Sequence, residues 1–263
     1  MPHTIRVLIV GMFYVAFGVF GLLLTFVFVP LAIRGVRDRE TRIARGQDLV
    51  QLWSRRYFDW LHRLGIGRPH WPARPPAVLA QGRPAVIVAN HPSLLDVVFL
   101  MGALPRITYV AKESWVNGPL GSMLRACGHI GLPAARSPAD GAIALQRMMD
   151  ALKAGRTLLV FPEGTRSPLH GLYPFQRGAF EAAIRVGVPI VRLVVRVEPS
   201  MLRKHQPWYD VSRRIVDFTI EELPPIEPDR LPKRGRELVA RIEADYRQAL
   251  GLDSAEASRD AAQ

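Results

Sequence analysis

The sequence predicts an α/β fold, a mixed sheet flanked by helices and preceded by an N-terminal membrane helix. Three observations lead to this prediction. Short apolar runs typical of buried strands alternate with longer helical patterns from residue 85 onward, which places helices on the faces of a sheet. Chemically active polar residues directly follow two of those strands. An uncharged apolar run from Val7 to Ile33 precedes the whole pattern.

The N-terminal run predicts a retained membrane anchor, because it exceeds the roughly 20 residues that a spanning helix needs. A secretory signal has an apolar core of only about 7–15 residues and then a cleavage site, whereas Arg34 directly follows this run. Two alternatives stay open: a buried helix of a soluble protein, and a helical hairpin that dips into one leaflet with its bend at Pro30 or the glycines. Residues 1–45 are assigned to the anchor and its basic flank.

Charge predicts the orientation of the anchor and the class of partner. Only Arg6 precedes the run, whereas five arginines follow it: Arg34, Arg37, Arg39, Arg42 and Arg45. The positive-inside rule therefore places the body of the protein, the part after the anchor, on the cytoplasmic side of the inner (cytoplasmic) membrane. Lys and Arg total 35 against 23 Asp and Glu, a net charge of +12 that suits anionic headgroups. No nucleic-acid-binding motif is present, so membrane lipids and no nucleic acid are expected as partners.

Residues 46–77 predict an amphipathic helix and a linker. Apolar residues recur at spacings of three and four in "GQDLVQLWSRRYFDWLHRLGI", which fits a helix lying in the membrane interface or one packed on the domain. The four prolines of "GRPHWPARPPAV" indicate an extended linker. The catalytic domain is then expected over residues 78–250, followed by a disordered tail over 251–263. A single cysteine, Cys127, excludes an intrachain disulfide.

The elements of the catalytic domain follow from periodicity and from turn residues. The predicted strands are 85–89, 107–111, 157–161, 189–197 and 214–223. The predicted helices are 93–104, 118–127, 140–155, 178–187 and 234–250.

The first candidate catalytic motif is "VIVANHPSLLD", in which polar residues appear where the strand at 85–89 ends. Sites in open α/β sheets collect beyond the carboxyl ends of strands. Pro92 suits the first turn of the next helix, so His91 lies in the turn before it and its imidazole can fold back over Asp96. A carboxylate on one ring nitrogen leaves the other as a base. A helix cap beside a structural histidine is the alternative.

The second candidate motif is "TLLVFPEGTRS", where polar residues again follow a buried strand. Gly164 lets the backbone approach a ligand, while Thr165 and Arg166 supply a hydroxyl and a guanidinium suited to phosphate. Glu163 is expected to accept a substrate hydroxyl or to orient Arg166. Taken alone, the segment also fits a turn with an exposed ion pair.

The two motifs together resemble those of the membrane glycerolipid acyltransferases, the family of 1-acylglycerol-3-phosphate acyltransferases. "NHPSLLD" is followed about 70 residues later by "FPEGTRS", and "VAKES" (110–114), "FQRGAF" (175–180) and "GVPIV" (187–191) look like further family segments. The resemblance is weaker in "GHIGLPAARSP" (128–138), where Arg136 is the counterpart of a family arginine. Arg192 stands where the family commonly has a second proline.

The resemblance implies a reaction and roles for individual residues. His91 matches the catalytic base of the family's HX4D motif and Asp96 its partner. Glu163, Gly164, Thr165 and Arg166 match the block assigned to the acceptor's glycerol phosphate, with Lys112 and Arg136 as further substrate-binding candidates. An acyl group passes from acyl-CoA or acyl carrier protein to a lipid hydroxyl, and no metal or prosthetic group is implied.

Several alternatives remain open at the level of sequence. 1-Acyl-sn-glycerol-3-phosphate is the expected acceptor, with another lyso-lipid or hydroxylated lipid as the alternative. The unusual segment "EPSMLRKHQPWYD" (198–210) indicates a specialised subgroup. A membrane-bound thioester hydrolase would not need the phosphate motif, and a basic scaffold would not need His91 beside Asp96. The sequence leaves the acyl donor and the oligomeric state undetermined.

Overall fold

The computed structural model describes residues 2–134, 137–232 and 235–252. Within this part of the chain, seven strands form one sheet in the order β1-β7-β6-β2-β5-β3-β4. All neighbouring strands run parallel except β6 and β7, which are antiparallel. This arrangement confirms the predicted mixed sheet with flanking helices.

The strands and helices have the following bounds. The strands are β1 (Gly67–Pro69), β2 (Val86–Ala89), β3 (Ile107–Lys112), β4 (Ile130–Leu132), β5 (Thr157–Val160), β6 (Ile190–Glu198) and β7 (Val216–Ile226). The helices are α1 (His3–Leu23), α2 (Val29–Ile33), α3 (Arg39–Arg63), α4 (Ala77–Ala80), α5 (Asp96–Ala103), α6 (Glu113–Val116), α7 (Gly121–Ala126), α8 (Pro138–Lys153), α9 (Gly178–Val186) and α10 (Gly235–Ala249). A π-helical turn, Leu24–Phe28, joins α1 to α2, and Pro228–Arg230 form a 3₁₀ turn.

The sheet is buried on both faces, as its continuous apolar strands require. Strand β2 alternates between two cores: Ile87 packs with α3 and α5 on one face, and Val86 and Val88 pack with α8, α9 and α10 on the other. Phe58, Phe99 and Phe218 meet at the centre of the first core, with ring centroids 5.0–5.6 Å apart. Burial on both faces holds the ends of the central strands, and the loops that follow them, in fixed positions.

The proline-rich segment before residue 78 belongs to the sheet and is not a free linker. Its residues Gly67–Pro69 form β1, which pairs in parallel with β7 in register from Gly67 with Val216. Trp71 then packs on Phe58 and Phe99 in the core. The short helices α4 and α6 and the strand β4 are further differences from the predicted elements. Strand β4 has only three residues and pairs with β3 alone, so it carries too little local pattern to be recognised.

Helix α3 begins at Arg39, earlier than the amphipathic segment predicted from residue 46. Asp38 caps it by accepting a hydrogen bond from the Thr41 amide at 2.7 Å. One face of α3, including Phe58 and Leu61, is buried in the catalytic core. The adjacent face carries Trp53 and Tyr57, part of the predicted aromatic stripe, and contacts α1 and the turn after it. Helix α3 therefore packs on the domain, and the N-terminal helix covers much of the stripe.

The N-terminal helical segment His3–Ile33 is long and apolar enough to cross a membrane, by length and composition. It lies along α3, with Phe13 and Phe17 against Tyr57 and Phe20 against Trp53. Pro30 lacks the amide that would continue the α-helical hydrogen-bond ladder, which accounts for the π-helical turn directly before it. The outward face stays apolar and exposed, as expected of a membrane-associated helix.

Candidate active site

The two predicted motifs meet because the strands that precede them are neighbours. Strands β2 and β5 pair in parallel, with Val88 opposite Val160, so the chain leaves both strands at the same edge of the sheet. His91 follows β2 and Glu163 follows β5 at that edge. The loops are bonded together directly, since the Ser167 amide donates to the His91 carbonyl at 2.7 Å.

His91 and Asp96 form a hydrogen-bonded pair, as expected from the sequence. The His91 Nδ1 lies 3.1 Å from Asp96 Oδ2, and the same oxygen accepts the Ser93 amide at 2.7 Å. The His91 side chain is 12% exposed and that of Asp96 is fully buried. A carboxylate on Nδ1 requires a proton there, so Nε2 is the ring nitrogen available as a base.

Phe161 fixes the plane of the His91 imidazole. The two rings are stacked, with centroids 4.2 Å apart and an interplanar angle of 19°. The His91 backbone is held as well, because its amide donates to Ser167 Oγ at 3.1 Å and to Glu163 Oε1 at 3.2 Å. The imidazole is therefore constrained by its ring face, by Nδ1 and by its own backbone.

Glu163 points into the protein, in contrast to the expectation that it accepts a substrate hydroxyl or orients Arg166. Its Oε1 accepts hydrogen bonds from the His91 amide and the Ser167 hydroxyl. Its Oε2 accepts the Tyr173 amide at 2.9 Å. The side chain is buried and joins the second motif to the backbone of the first, so it helps to fix the position of His91.

Arg166 lies close to the histidine–aspartate pair. Its Nη1 donates to the carbonyls of Leu202 and Arg203, at 2.8 and 3.0 Å. No hydrogen bond from Nη2 or Nε joins it to the described residues, so that side of the guanidinium remains free for a ligand. Gly164, with φ +67°, makes the turn that leads into Arg166. A Cβ at Gly164 would lie 2.6 Å from Gln176 Nε2, so a substitution would displace the end of that side chain in addition to straining the backbone at this positive φ.

The segment between β6 and β7 connects both motifs to the N-terminal helix. The Leu202 carbonyl accepts from Arg166 and also from the Leu94 amide, at 3.2 Å. Leu202 adopts φ +56°, an unfavourable conformation for a leucine that is typical of functional sites. Further along the segment, Trp208 packs against Tyr14, with ring centroids 6.2 Å apart, and against Gly11. Arg166 is thus held by a loop that packs on helix α1.

Electrostatics link the two motifs. Burial raises the pKa of Asp96, and this rise is opposed by the hydrogen bond and charge of His91, by the Ser93 amide and by the charge of Arg166. Burial also raises the pKa of Glu163, against the hydrogen bonds that it accepts. The influence of Arg166 on Asp96 indicates that the guanidinium and the histidine–aspartate pair share one electrostatic environment.

The other candidate residues lie around this centre. Thr165 is half-buried between Gly164 and Arg166. Lys112 is exposed at the carboxyl end of β3, on the far side of β5 from His91. Arg136 lies outside the described residues.

Sequence reasoning missed three residues that shape the site. Asn90 occupies the position after β2, where its side chain donates to the Val195 carbonyl at 2.9 Å and accepts the Val195 amide at 2.7 Å, extending the pairing of β2 with β6. Ser167 and Phe161 contact His91 as described above. A polar residue directly after a buried strand is a signal for Asn90, whereas the roles of Ser167 and Phe161 depend on the pairing of β2 with β5.

Comparisons with known proteins identify the family of this chain. The family described as Acyltransferase matches residues 74–196. Human 1-acyl-sn-glycerol-3-phosphate acyltransferase beta is 33% identical over 174 residues, 65% of this chain and 60% of the human protein. The 1-acyl-sn-glycerol-3-phosphate acyltransferase of Escherichia coli (strain K12) is 33% identical over 184 residues, 68% of this chain and 72% of that protein.

A solved structure has the same fold. The crystal structure of the 1-acyl-sn-glycerophosphate (LPA) acyltransferase PlsC from Thermotoga maritima superposes with a TM-score of 0.72, covering 95% of this chain and 97% of that one at 23% identity. The sequence match to the E. coli protein, the family match over both motifs and the shared fold confirm the resemblance noted from the motifs. The chain belongs to the acyltransferase family that includes the 1-acyl-sn-glycerol-3-phosphate acyltransferases.

Proposed function

We propose that this protein is an O-acyltransferase that moves a fatty acyl group from a thioester, acyl-CoA or acyl carrier protein, to the free hydroxyl of 1-acyl-sn-glycerol-3-phosphate, giving phosphatidic acid. The observation that carries the proposal is the pairing of His91 Nδ1 with the buried Asp96 carboxylate, in the electrostatic environment of Arg166, a residue suited to binding phosphate. The matched segment spans 60% of the human relative, whose name gives this activity, and 72% of the E. coli relative.

In the proposed reaction, His91 Nε2 is the general base. It takes the proton of the acceptor hydroxyl as the hydroxyl oxygen attacks the thioester carbonyl carbon. The tetrahedral intermediate then collapses, the carbon–sulfur bond breaks, and the proton on His91 passes to the leaving thiolate. The acceptor supplies the nucleophile, so no serine or cysteine of the protein is acylated.

Asp96 stabilises the imidazolium that forms during attack. Its Oδ2 already accepts from Nδ1, so proton transfer to Nε2 needs no reorientation of the ring. Phe161 holds the ring plane and Glu163 holds the His91 backbone, which reduces the conformational freedom lost on reaching the transition state.

Arg166 is the proposed ligand of the acceptor phosphate. Nη1 is occupied by two carbonyl oxygens of the protein, which fixes the orientation of the guanidinium. The remaining nitrogens can donate to phosphate oxygens in the paired geometry that arginine favours. Thr165, next to Arg166 in the same loop, is proposed to add a hydroxyl, and Lys112, exposed at the carboxyl end of β3, a positive charge.

The anchor is proposed to lie in one leaflet, with the catalytic domain on the cytoplasmic side. Both ends of the helical segment contact the domain, since Arg6 donates to the Arg214 carbonyl at 2.7 Å and Phe28 stacks on Trp53. A full crossing would therefore pull polar parts of the domain into the bilayer. The arginines that follow the anchor favour the cytoplasmic headgroup region.

The acyl-transfer proposal is tested with the full chain in membranes supplied with labelled acyl-CoA or acyl-acyl carrier protein and a panel of lyso-lipids. Product mass identifies the acceptor, and His91→Ala is expected to lower the rate about 10²–10⁴-fold. His170→Ala, which changes an exposed histidine outside both motifs, is the control. Release of free fatty acid without acyl transfer would indicate a hydrolase, and normal turnover by His91→Ala would contradict the mechanism.

The leaflet proposal is tested by cysteine labelling. The native Cys127 is buried, so a cysteine introduced at His3 gives the accessible signal. A membrane-impermeant maleimide should label the His3→Cys variant from the cytoplasmic face of sealed vesicles. Labelling only from the opposite face would show that the helix crosses the membrane.

A further inference from the structure

A cavity lies at the end of the N-terminal helical segment, apart from both catalytic motifs. Its volume is about 690 Å³, within the range of small-molecule sites. The walls come from the π-helical turn, from α2 and from α7, and include Thr25, Val29, Ile33, Met123 and Ala126. None of the residues lining it belongs to the HPSLLD or PEGTRS segments.

The cavity has an apolar interior and a basic mouth. Arg34 and Arg42 line it, both are exposed, and neither side chain has an ion pair or hydrogen bond among the described residues. The acidic side chains beside them are already engaged. Asp38 accepts from the Thr41 amide and hydroxyl, and Glu40 pairs with Arg156 at 2.9 Å. Arg34 and Arg42 therefore line the opening without an ion pair to any described residue, while Asp38 is the one acidic side chain nearby that keeps its charge unpaired.

The cavity also opens onto the membrane-facing surface of the anchor. Phe26 lines it and is 65% exposed, and Leu31 in the same segment is 58% exposed. The π-helical turn contributes Thr25 and Phe26 to the lining, and the Thr25 hydroxyl donates to the Gly21 carbonyl at 2.7 Å. An acyl chain can thus enter from the bilayer while its headgroup stays at the arginines.

From this arrangement we infer that the cavity is a binding site for one intact phospholipid with an anionic headgroup. One acyl chain lies between the π-helical turn and α7, and the phosphate lies between Arg34 and Arg42. The occupant is a bilayer lipid distinct from the reacting acceptor, because the cavity contains no residue of the catalytic motifs.

The site is tested with the full chain in a neutral detergent, titrated with phosphatidylglycerol or with phosphatidylcholine of the same acyl chains. Native mass spectrometry resolves the number of lipids bound. We expect one phosphatidylglycerol to bind more tightly than phosphatidylcholine. The double variant Arg34→Gln/Arg42→Gln should lower the affinity for the first phosphatidylglycerol about tenfold, since each arginine near a phosphate raises the affinity several-fold.

Two further variants separate a built site from general surface charge. Arg37→Gln/Arg39→Gln removes the same charge from exposed arginines of the same segment that do not line the cavity, and should change the affinity less than about twofold. Ser122→Trp fills the cavity from an exposed lining position and should weaken the binding of both lipids. Equal losses in the two double variants, equal binding of the two lipids to the unmodified chain, or unchanged binding to Ser122→Trp would each overturn the proposal.

Discussion

His129 should make the protein sensitive to mild acid. The side chain is buried and its Nδ1 accepts the Tyr109 amide at 2.9 Å, so the neutral ring carries its proton on Nε2. Nε2 is buried without a hydrogen-bond partner among the described residues, and the ring lines a small cavity with Gln47 and Arg106. Arg106 is paired with Asp48, so no free carboxylate there stabilises an imidazolium. Burial accordingly lowers the pKa of His129 from 6.5 to about 4.

The size and sign of the effect follow from this pKa. Above pH 6.5 the histidine is neutral in both the folded and the unfolded chain, and its contribution to stability is fully present. As the pH falls from 6.5 to about 4, the unfolded chain takes up a proton that the folded chain refuses, so stability is lost. The loss is about 2 kcal/mol at pH 5 and about 3 kcal/mol below pH 4, at about 1.4 kcal/mol for each pH unit between the two pKa values.

His129→Asn removes the titrating group while its side-chain oxygen can still accept the Tyr109 amide. The measurement is chemical unfolding of the full chain in neutral detergent between pH 7 and pH 4, with His170→Asn as an exposed control. Only the change with pH is compared, so a constant offset from altered packing cancels. Between pH 7 and pH 5, the free energy of unfolding of wild type and of the control should fall by about 2 kcal/mol more than that of His129→Asn. Parallel pH profiles for wild type and His129→Asn would refute the reasoning.

Three further predictions concern the catalytic site. Asp96→Asn should lower turnover about 10²–10⁴-fold without lowering stability at neutral pH. Burial raises the pKa of this carboxyl, so keeping it charged above the unfolded pKa costs folding free energy, and a variant that unfolds more easily would contradict this. Arg166→Lys should raise KM for the acceptor and leave KM for the thioester unchanged, and the reverse pattern in steady-state kinetics would assign Arg166 to the donor. Trp208→Ala should also raise the acceptor KM, since Trp208 packs on Tyr14 and supports the loop that holds Arg166, and Trp208→Phe should restore part of the loss. Trp60→Ala, which changes an exposed tryptophan of α3, is the control, and equal effects of Trp208→Ala and Trp60→Ala would reject this coupling.

The sequence determined those features that depend on local pattern. Apolar runs and glycine stops located five strands and five helices of the catalytic domain near their observed positions, because burial and turn geometry act over a few residues. The relation of His91 to Asp96 was also local, since only five residues separate them and the Ser93 amide holds the same carboxylate oxygen. The expectation that Pro92 lies in the first turn of the next helix was wrong, because α5 begins at Asp96 and residues 93–95 form a turn before it. The family resemblance followed from the same short segments.

Only the tertiary structure decided the features that depend on which segments become neighbours. Strand β1 exists because β7 offers it an edge, a pairing across about 150 residues that proline-rich local sequence does not predict. Glu163 was expected to bind substrate because a carboxylate follows a strand there. Because β2 and β5 are neighbours, its side chain instead accepts a hydrogen bond from the backbone of His91. Arg166 is held by the backbone carbonyls of Leu202 and Arg203, and every residue has such a carbonyl, so these acceptors cannot be predicted from the sequence. Helical periodicity located the aromatic face of α3 but could not identify what covers it, because amphipathicity is the same whether the apolar partner is a lipid or another helix.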